Sequence, residues 1–222
     1  TITSVNTANY DDICGTCGKA VTWGLTEDGI LNIGGWGTMT NYTEDSPAPW
    51  SEYAEDITAI NINEGVTGIG DYSFKGVTQI TSVTVPASVL YIGIHAFEDC
   101  GALDTVALPS SLQSIWDYAF EGCASLQDFT FVGGTLTIGA GAFSDCRNLN
   151  KVRFIGDFNE SAIKWGAFYR CSALSSAVLP EGIYRIDGYA FAACPNLKTL
   201  WMPDGFYYIG GHLLAGCGGF ET

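Results

Sequence analysis

Apolar and polar positions recur along this chain in one phase. The pattern I-x-x-x-A-F-x-x-C-x-x-L-x-x-V-x-L-P starts at Ile69 and returns at Ile92, Ile115, Ile138, Ile163, Ile186 and Ile209, with spacings of 23, 23, 23, 25, 23 and 23 residues. Phe74, Phe97, Phe120, Phe143, Phe168 and Phe191 keep step, and Leu214 takes the seventh place. A cysteine column follows at Cys100, Cys123, Cys146, Cys171, Cys194 and Cys217, with Val77 in the first repeat. A period of this length with an L-x-x-L-x-L signature means a leucine-rich solenoid, in which each repeat buries its apolar side against its neighbours.

The elements within a repeat follow from its spacing. Ile80-Thr-Ser-Val-Thr-Val, Leu103-Asp-Thr-Val-Ala-Leu, Leu126-Gln-Asp-Phe-Thr-Phe, Leu149-Asn-Lys-Val-Arg-Phe, Leu174-Ser-Ser-Ala-Val-Leu and Leu197-Lys-Thr-Leu-Trp-Met alternate apolar and polar residues, the pattern of a strand with one buried face. Pro86, Pro109, Pro180 and Pro203 close several of these strands. In A-F-x-x-C-x-x-L the apolar residues fall at every third position, which predicts a short helical or 3₁₀ turn on the convex side. The expected fold is an α/β repeat solenoid: a right-handed superhelix with a parallel concave sheet. It comprises a capping segment over residues 1–56 and about seven 23-residue repeats over 57–222, the last incomplete. In the capping segment, Val21–Leu25 and Ile30–Ile33 flank Asp28-Gly29, a hairpin signal. Trp23, Trp36 and Trp50 offer the apolar area to cover the first repeat, the alternative being a carbohydrate platform.

The repeat resembles the BspA-like leucine-rich repeats of bacterial surface proteins, with A-F-x-x-C on one side and L-P after the strand. Residues 14–50 resemble the segment that often precedes those repeats, through Cys17-Gly18, Leu25–Ile33, Gly37-Thr-Met39 and Pro49-Trp50, after which Glu64-Gly-Val-Thr-Gly-Ile69 leads into the array. The resemblance covers roughly residues 14–220, and Cys14 departs from it. It implies a secreted or cell-surface binding protein, adhesin-like in some members, with no shared chemistry and no cofactor.

Composition narrows the function. Charged residues make up 15% of the chain, against roughly 25% in an ordinary globular protein. The net charge of −15 argues against nucleic acid, whose phosphates need a basic surface. Residues 1–146 carry 18 acidic and 2 basic side chains, whereas residues 147–222 carry 6 and 7. No run of apolar residues is long enough to span a bilayer. The chain begins Thr-Ile-Thr with neither a basic n-region nor an apolar h-region, so export rests on the resemblance.

No residue set points to catalysis. P-loop, G-x-S-x-G and H-E-x-x-H motifs are missing. His95 and His212 share a repeat position with Tyr72, Tyr118, Tyr189, Gly141 and Gly166, which reads as a structural stack. The cysteine column reads as a buried, reduced ladder, since cysteine behaves as a small hydrophobe. No histidine or carboxylate shares that column, so no metal is assigned to it. Cys14 and Cys17 form a lone C-x-x-C, read as a local disulfide or a thiol pair. The sequons at Asn41 and Asn159 read as coincidental.

The strand face carries the functional expectation. Two columns point away from the core: Ser82, Thr105, Asp128, Lys151, Ser176 and Thr199; and Thr84, Ala107, Thr130, Arg153, Val178 and Trp201. The first half is small and polar. The candidate ligand-binding residues are Asp128, Thr130, Lys151, Arg153, Val178, Thr199 and Trp201, because an exposed tryptophan beside basic residues has the composition of an interaction hot spot. The 25-residue repeat predicts a bulged lip between Phe154 and Ile163 beside them. A protein or glycan ligand is the expected partner, and a structural spacer is the rival reading. The ending at Cys217-Gly-Gly-Phe220 lacks a closing strand or cap, so association through that end, or a longer natural chain, is expected.

Overall fold

The computed structural model describes residues 13–219. It is a parallel-strand solenoid of about 6 turns. Each turn has three sides. The first is the strand of the L-x-x-V-x-L segment, such as Ser82–Thr84, Thr105–Ala107, Asp128–Gly134, Lys151–Phe158, Ser176–Val178 and Thr199–Trp201. The second is a shorter strand that ends at the repeat's opening isoleucine. Seven strands of this second kind, from Val66–Ile69 to Tyr208–Ile209, form one continuous sheet with the cap strand Gly37–Thr38 at its edge.

The third side corrects the sequence reading. The A-F-x-x-C stretches are not helical, and among the described residues the one helical element is the 3₁₀ turn Ser51–Tyr53. The reason lies in two positions per turn whose backbone is left-handed. Tyr72, His95, Tyr118, Gly141, Gly166, Tyr189 and His212 form one such column; Gly76, Asp99, Gly122, Asp145, Arg170, Ala193 and Gly216 form the other, all at positive φ. A right-handed helix cannot pass through them. Instead, alternate amides reach across to the next turn. His95, Phe97 and Asp99 donate to the carbonyls of Asp117, Ala119 and Glu121 at 3.1, 2.7 and 2.8 Å. The amides between them close tight turns, as Glu98 does on His95 and Cys100 on Phe97. Apolar residues at every third position suit this chain path as well as a helix, so the spacing alone could not separate the two. The glycines shared with tyrosine and histidine in one column were the available signal.

Inside the coil the phenylalanine column forms a stack. Neighbouring rings from Phe74 to Phe191 lie 5.0–5.3 Å apart, and all six are fully buried. Trp50 continues the stack at 5.9 Å from Phe74 and donates its Nε1–H to the Ser73 carbonyl at 2.7 Å. Trp23 meets Trp50 edge-on at 5.5 Å. These two tryptophans cap the core. Trp36 does not, being 77% exposed. The hairpin forms as the Asp28-Gly29 signal predicts, Val21–Leu25 pairing antiparallel with Ile30–Gly35. Ile30–Ile33 then pairs in parallel with Ala59–Ile62, which turns the hairpin into the first rung of the solenoid.

The cysteines are free, and those from Cys100 to Cys194 are buried. Each thiol donates to the phenylalanine carbonyl of the preceding turn, from Cys100 Sγ on Phe74 to Cys217 Sγ on Phe191, at 3.1–3.2 Å. The column is therefore a weak hydrogen-bond ladder as well as packing.

The two extra residues of the long repeat do not make a loop. The strand Lys151–Phe158 runs on beside Asp128–Gly134, and the register slips between Val132 and Gly134. Gly156, at φ 93°, lies opposite this slip. The predicted lip is thus a β-bulge within a continuing strand. Phe220, which the sequence reading placed in a leucine position, lies outside the described residues. The last described strands leave Tyr208 and Ile209 about half exposed.

Ala193 takes a left-handed conformation at φ 56° that costs a side-chain-bearing residue about 1 kcal/mol. Ala193→Gly should raise the melting temperature by about 2–4 °C, and Gly122→Ala should lower it by at least as much, as read by calorimetry. Burial pushes the Cys17 and Cys194 thiols up to about 12 and those of Cys100, Cys123, Cys146 and Cys171 well above the ordinary value. The unfolded chain loses these protons near pH 8.5 while the folded chain keeps them. Stability is therefore full below about pH 8 and falls above it, by about 1.4 kcal/mol per pH unit for each thiol. Urea midpoints should fall steeply above that pH, and less steeply in Cys123→Val, a residue the column already accepts at Val77.

Candidate functional site

The candidate residues share one face because their strands are in parallel register. Asp128, Lys151, Ser176 and Thr199 are successive partners across four strands. Thr130 pairs with Arg153, and Val178 with Trp201. Alternation sends Phe129, Val152 and Ala177 inward, all buried, and leaves the residues on either side of them turned outward. Val178 and Trp201 stand 56% and 50% exposed, next to each other on adjacent strands. Strands lie about 4.8 Å apart, so Arg153 and Trp201, two strands apart, are separated by about 10 Å.

The electrostatics of this face are less one-sided than its sequence. Arg153 Nη1 pairs with Asp128 Oδ2 at 3.0 Å, and both side chains are nearly half exposed. A pair in that setting contributes little to stability. Lys151 lies beside it with its own side chain exposed. The N-terminal half stays small and polar, with Ser82, Thr84, Thr105 and Ala107 all exposed.

Sequence reasoning missed how far this face extends. The strand Ala59–Ile62 lies beside Ser82–Thr84, and the cap strand Ile30–Gly35 lies beyond it. Asn61 Nδ2 donates to Asn32 Oδ1 at 3.0 Å, so an asparagine pair prolongs the outward column. Asn61, Asn63, Glu64, Ser82 and Thr84 line a shallow groove of about 500 Å³. The signal was present in the sequence: Ile30-Leu-Asn-Ile33 and Ala59-Ile-Asn-Ile62 carry asparagine at the same strand position.

His95 stacks on Tyr118 at 5.0 Å, and His212 on Tyr189 at 5.1 Å, as their shared column implied. Cys14 is exposed and Cys17 buried, both as free thiols. Among the described residues no helix is long and apolar enough to cross a membrane.

Since Trp201 is half exposed and Val178 more so, neither should hold the fold together. Trp201→Ala should change stability by no more than about 0.5 kcal/mol, whereas Phe120→Ala should cost about 3–5 kcal/mol. Chemical denaturation of both variants checks the contrast.

The fold is shared with solved structures of bacterial proteins. A leucine-rich repeat protein of Treponema pallidum (T. pallidum) is 29% identical, with a TM-score of 0.63 over 93% of this chain and 90% of that one. A leucine-rich cell surface protein of Faecalibacterium prausnitzii is 25% identical, with a TM-score of 0.62 over 87% of this chain and 55% of that one. The pneumococcal vaccine antigen PcpA, 20% identical with a TM-score of 0.53, shares the fold over 86% of this chain and 48% of its own. No relative is found among curated proteins. The sequence profile of the BspA type leucine-rich repeat region matches residues 52–162 and 161–222, in six copies. Its repeat underlies the inward phenylalanines, the thiol ladder and the outward strand columns alike, and the chain belongs to the BspA-type leucine-rich repeat family.

Proposed function

We propose that this protein is a non-enzymatic binding module, secreted or held at the cell surface, that recognises a protein or glycan through the outward face of the longer-strand sheet. The observation that carries this reading is the exposed pair Val178 and Trp201, set in register beside Lys151 and Arg153 on a rigid parallel sheet. Aromatic and cationic side chains presented together are the usual anchors of recognition. Rigidity adds to this, because strands held by backbone hydrogen bonds, Ser176–Val178 on both sides and Thr199–Trp201 on one, lose little entropy when a partner docks. The surface location is supported by the Faecalibacterium prausnitzii cell surface protein. The asparagine groove at the other end offers amide and hydroxyl groups that suit sugar hydroxyls. The catalytic alternative lacks support, since histidine, carboxylate and nucleophile do not converge on this face.

A spacer that holds another domain away from the cell is the rival reading. It is favoured by the Asp128–Arg153 pair, which neutralises part of the charge, and by the plain face formed by Ser82, Thr84, Thr105 and Ala107. The two readings separate on a glycan and extracellular-matrix array. A binding module should give selective signals that fall at least tenfold in Trp201→Ala and in Lys151→Glu, with melting temperatures unchanged. Signals absent throughout, or insensitive to both substitutions, would favour the spacer.

A further inference from the structure

Away from the sheet, two neighbouring turns bring His95, Glu98 and Glu121 together. His95 and Glu98 are three residues apart on one turn, and Glu121 takes Glu98's place on the next. One nitrogen or oxygen from each lies within 4.8 Å of the other two. The His95 ring is clasped between Tyr72 and Tyr118, at 4.7 and 5.0 Å between centroids, so packing sets its direction. Its Nδ1 is 2.7 Å from Glu98 Oε2. Both atoms are shielded from water, and neither has a hydrogen bond of acceptable geometry. Glu98 Oε2 is held by ion pairing alone, and the His95 nitrogen beside it is left without a well-formed hydrogen bond, a rare state for a shielded polar atom.

The cation already present is only partly committed to them. Lys75 Nζ lies 3.0 Å from Glu98 Oε2 and 2.7 Å from Glu44 Oε1, so one ammonium serves two carboxylates. Glu121 lies in the same negative surroundings. Glu98, Asp99, Glu121 and Asp145 line one hollow, against a single cation, Arg147. The three side chains therefore project from rigid, hydrogen-bonded turns into a place where positive charge is short.

We propose that His95, Glu98 and Glu121 form a binding site for a divalent transition-metal ion, with zinc as its defining occupant. One imidazole and two carboxylates are ligands that zinc accepts, and three protein ligands leave a fourth position for water. Because the ligands come from two successive turns, a bound ion ties those turns together and stabilises the folded state by mass action. Lys75 competes with the ion for Glu98 and so tunes its affinity.

The test is calorimetric titration of the full chain with zinc chloride, alongside cobalt(II) absorption and thermal melts. A Cys14→Ser background keeps the exposed thiol from contributing. The expected result is one ion per chain, a raised melting temperature and the visible bands of low-symmetry cobalt. Affinity should fall at least tenfold in His95→Ala and in Glu121→Gln, and should rise in Lys75→Met. Should His95→Ala fail to fold without metal, the isosteric Glu121→Gln decides. Absence of binding at millimolar zinc, or binding that both ligand substitutions leave unchanged, overturns the site.

Discussion

The rise between turns governs everything else in this molecule. Parallel strands joined by backbone hydrogen bonds stand about 4.8 Å apart, and that spacing is set by the peptide group. Offset-stacked aromatic rings favour centroid separations of about 4.5–7 Å, a range that takes in this rise. The phenylalanine rings, at 5.0–5.3 Å, therefore stack without straining the sheets. The thiols meet the preceding carbonyls, and the turn amides meet the following ones, under the same spacing. A residue at an inward position must fit its counterparts above and below, which is why the inward columns are nearly uniform while the outward columns vary freely. The bulge opposite Gly156 shows the constraint from the other side. Two extra residues could not alter the rise, so the chain absorbed them sideways, by slipping register at one point.

Much of this could be read from the sequence because the repeat converts three-dimensional stacking into a one-dimensional period. The solenoid, the strand phase, the buried cysteines and the hairpin at Asp28-Gly29 follow from spacing alone. The third side of the coil did not, because Phe97, Cys100 and Leu103 have the same spacing on a helical turn as on a chain that alternates handedness. What separates the two is φ at His95 and Asp99, and only the glycines in their columns betray it. Trp36 departs from expectation for a related reason: a tryptophan near the end of a core is a natural cap, but this one sits in the bend between Ile30–Gly35 and Gly37–Thr38, turned to solvent.

The candidate face was legible as a set of columns but not as an electrostatic surface. Alternation predicts that Asp128, Lys151, Arg153 and Trp201 all point outward. It says nothing of which charges find each other, and the pairing of Arg153 with Asp128 depends on side-chain reach across one strand. The same limit hid the cluster at His95, where Glu98 and Glu121 belong to a column whose members meet only because the turns are stacked.

The dependence of each turn on its immediate neighbours also makes the molecule a mechanical element. Under tension along the coil axis, the load at any moment falls on the ladders that join one turn to the next. Once an end turn yields, its 23 residues extend by up to about 80 Å, while the turns behind it keep their stacked rings and closed ladders. A chain built this way lengthens in discrete steps rather than failing at once.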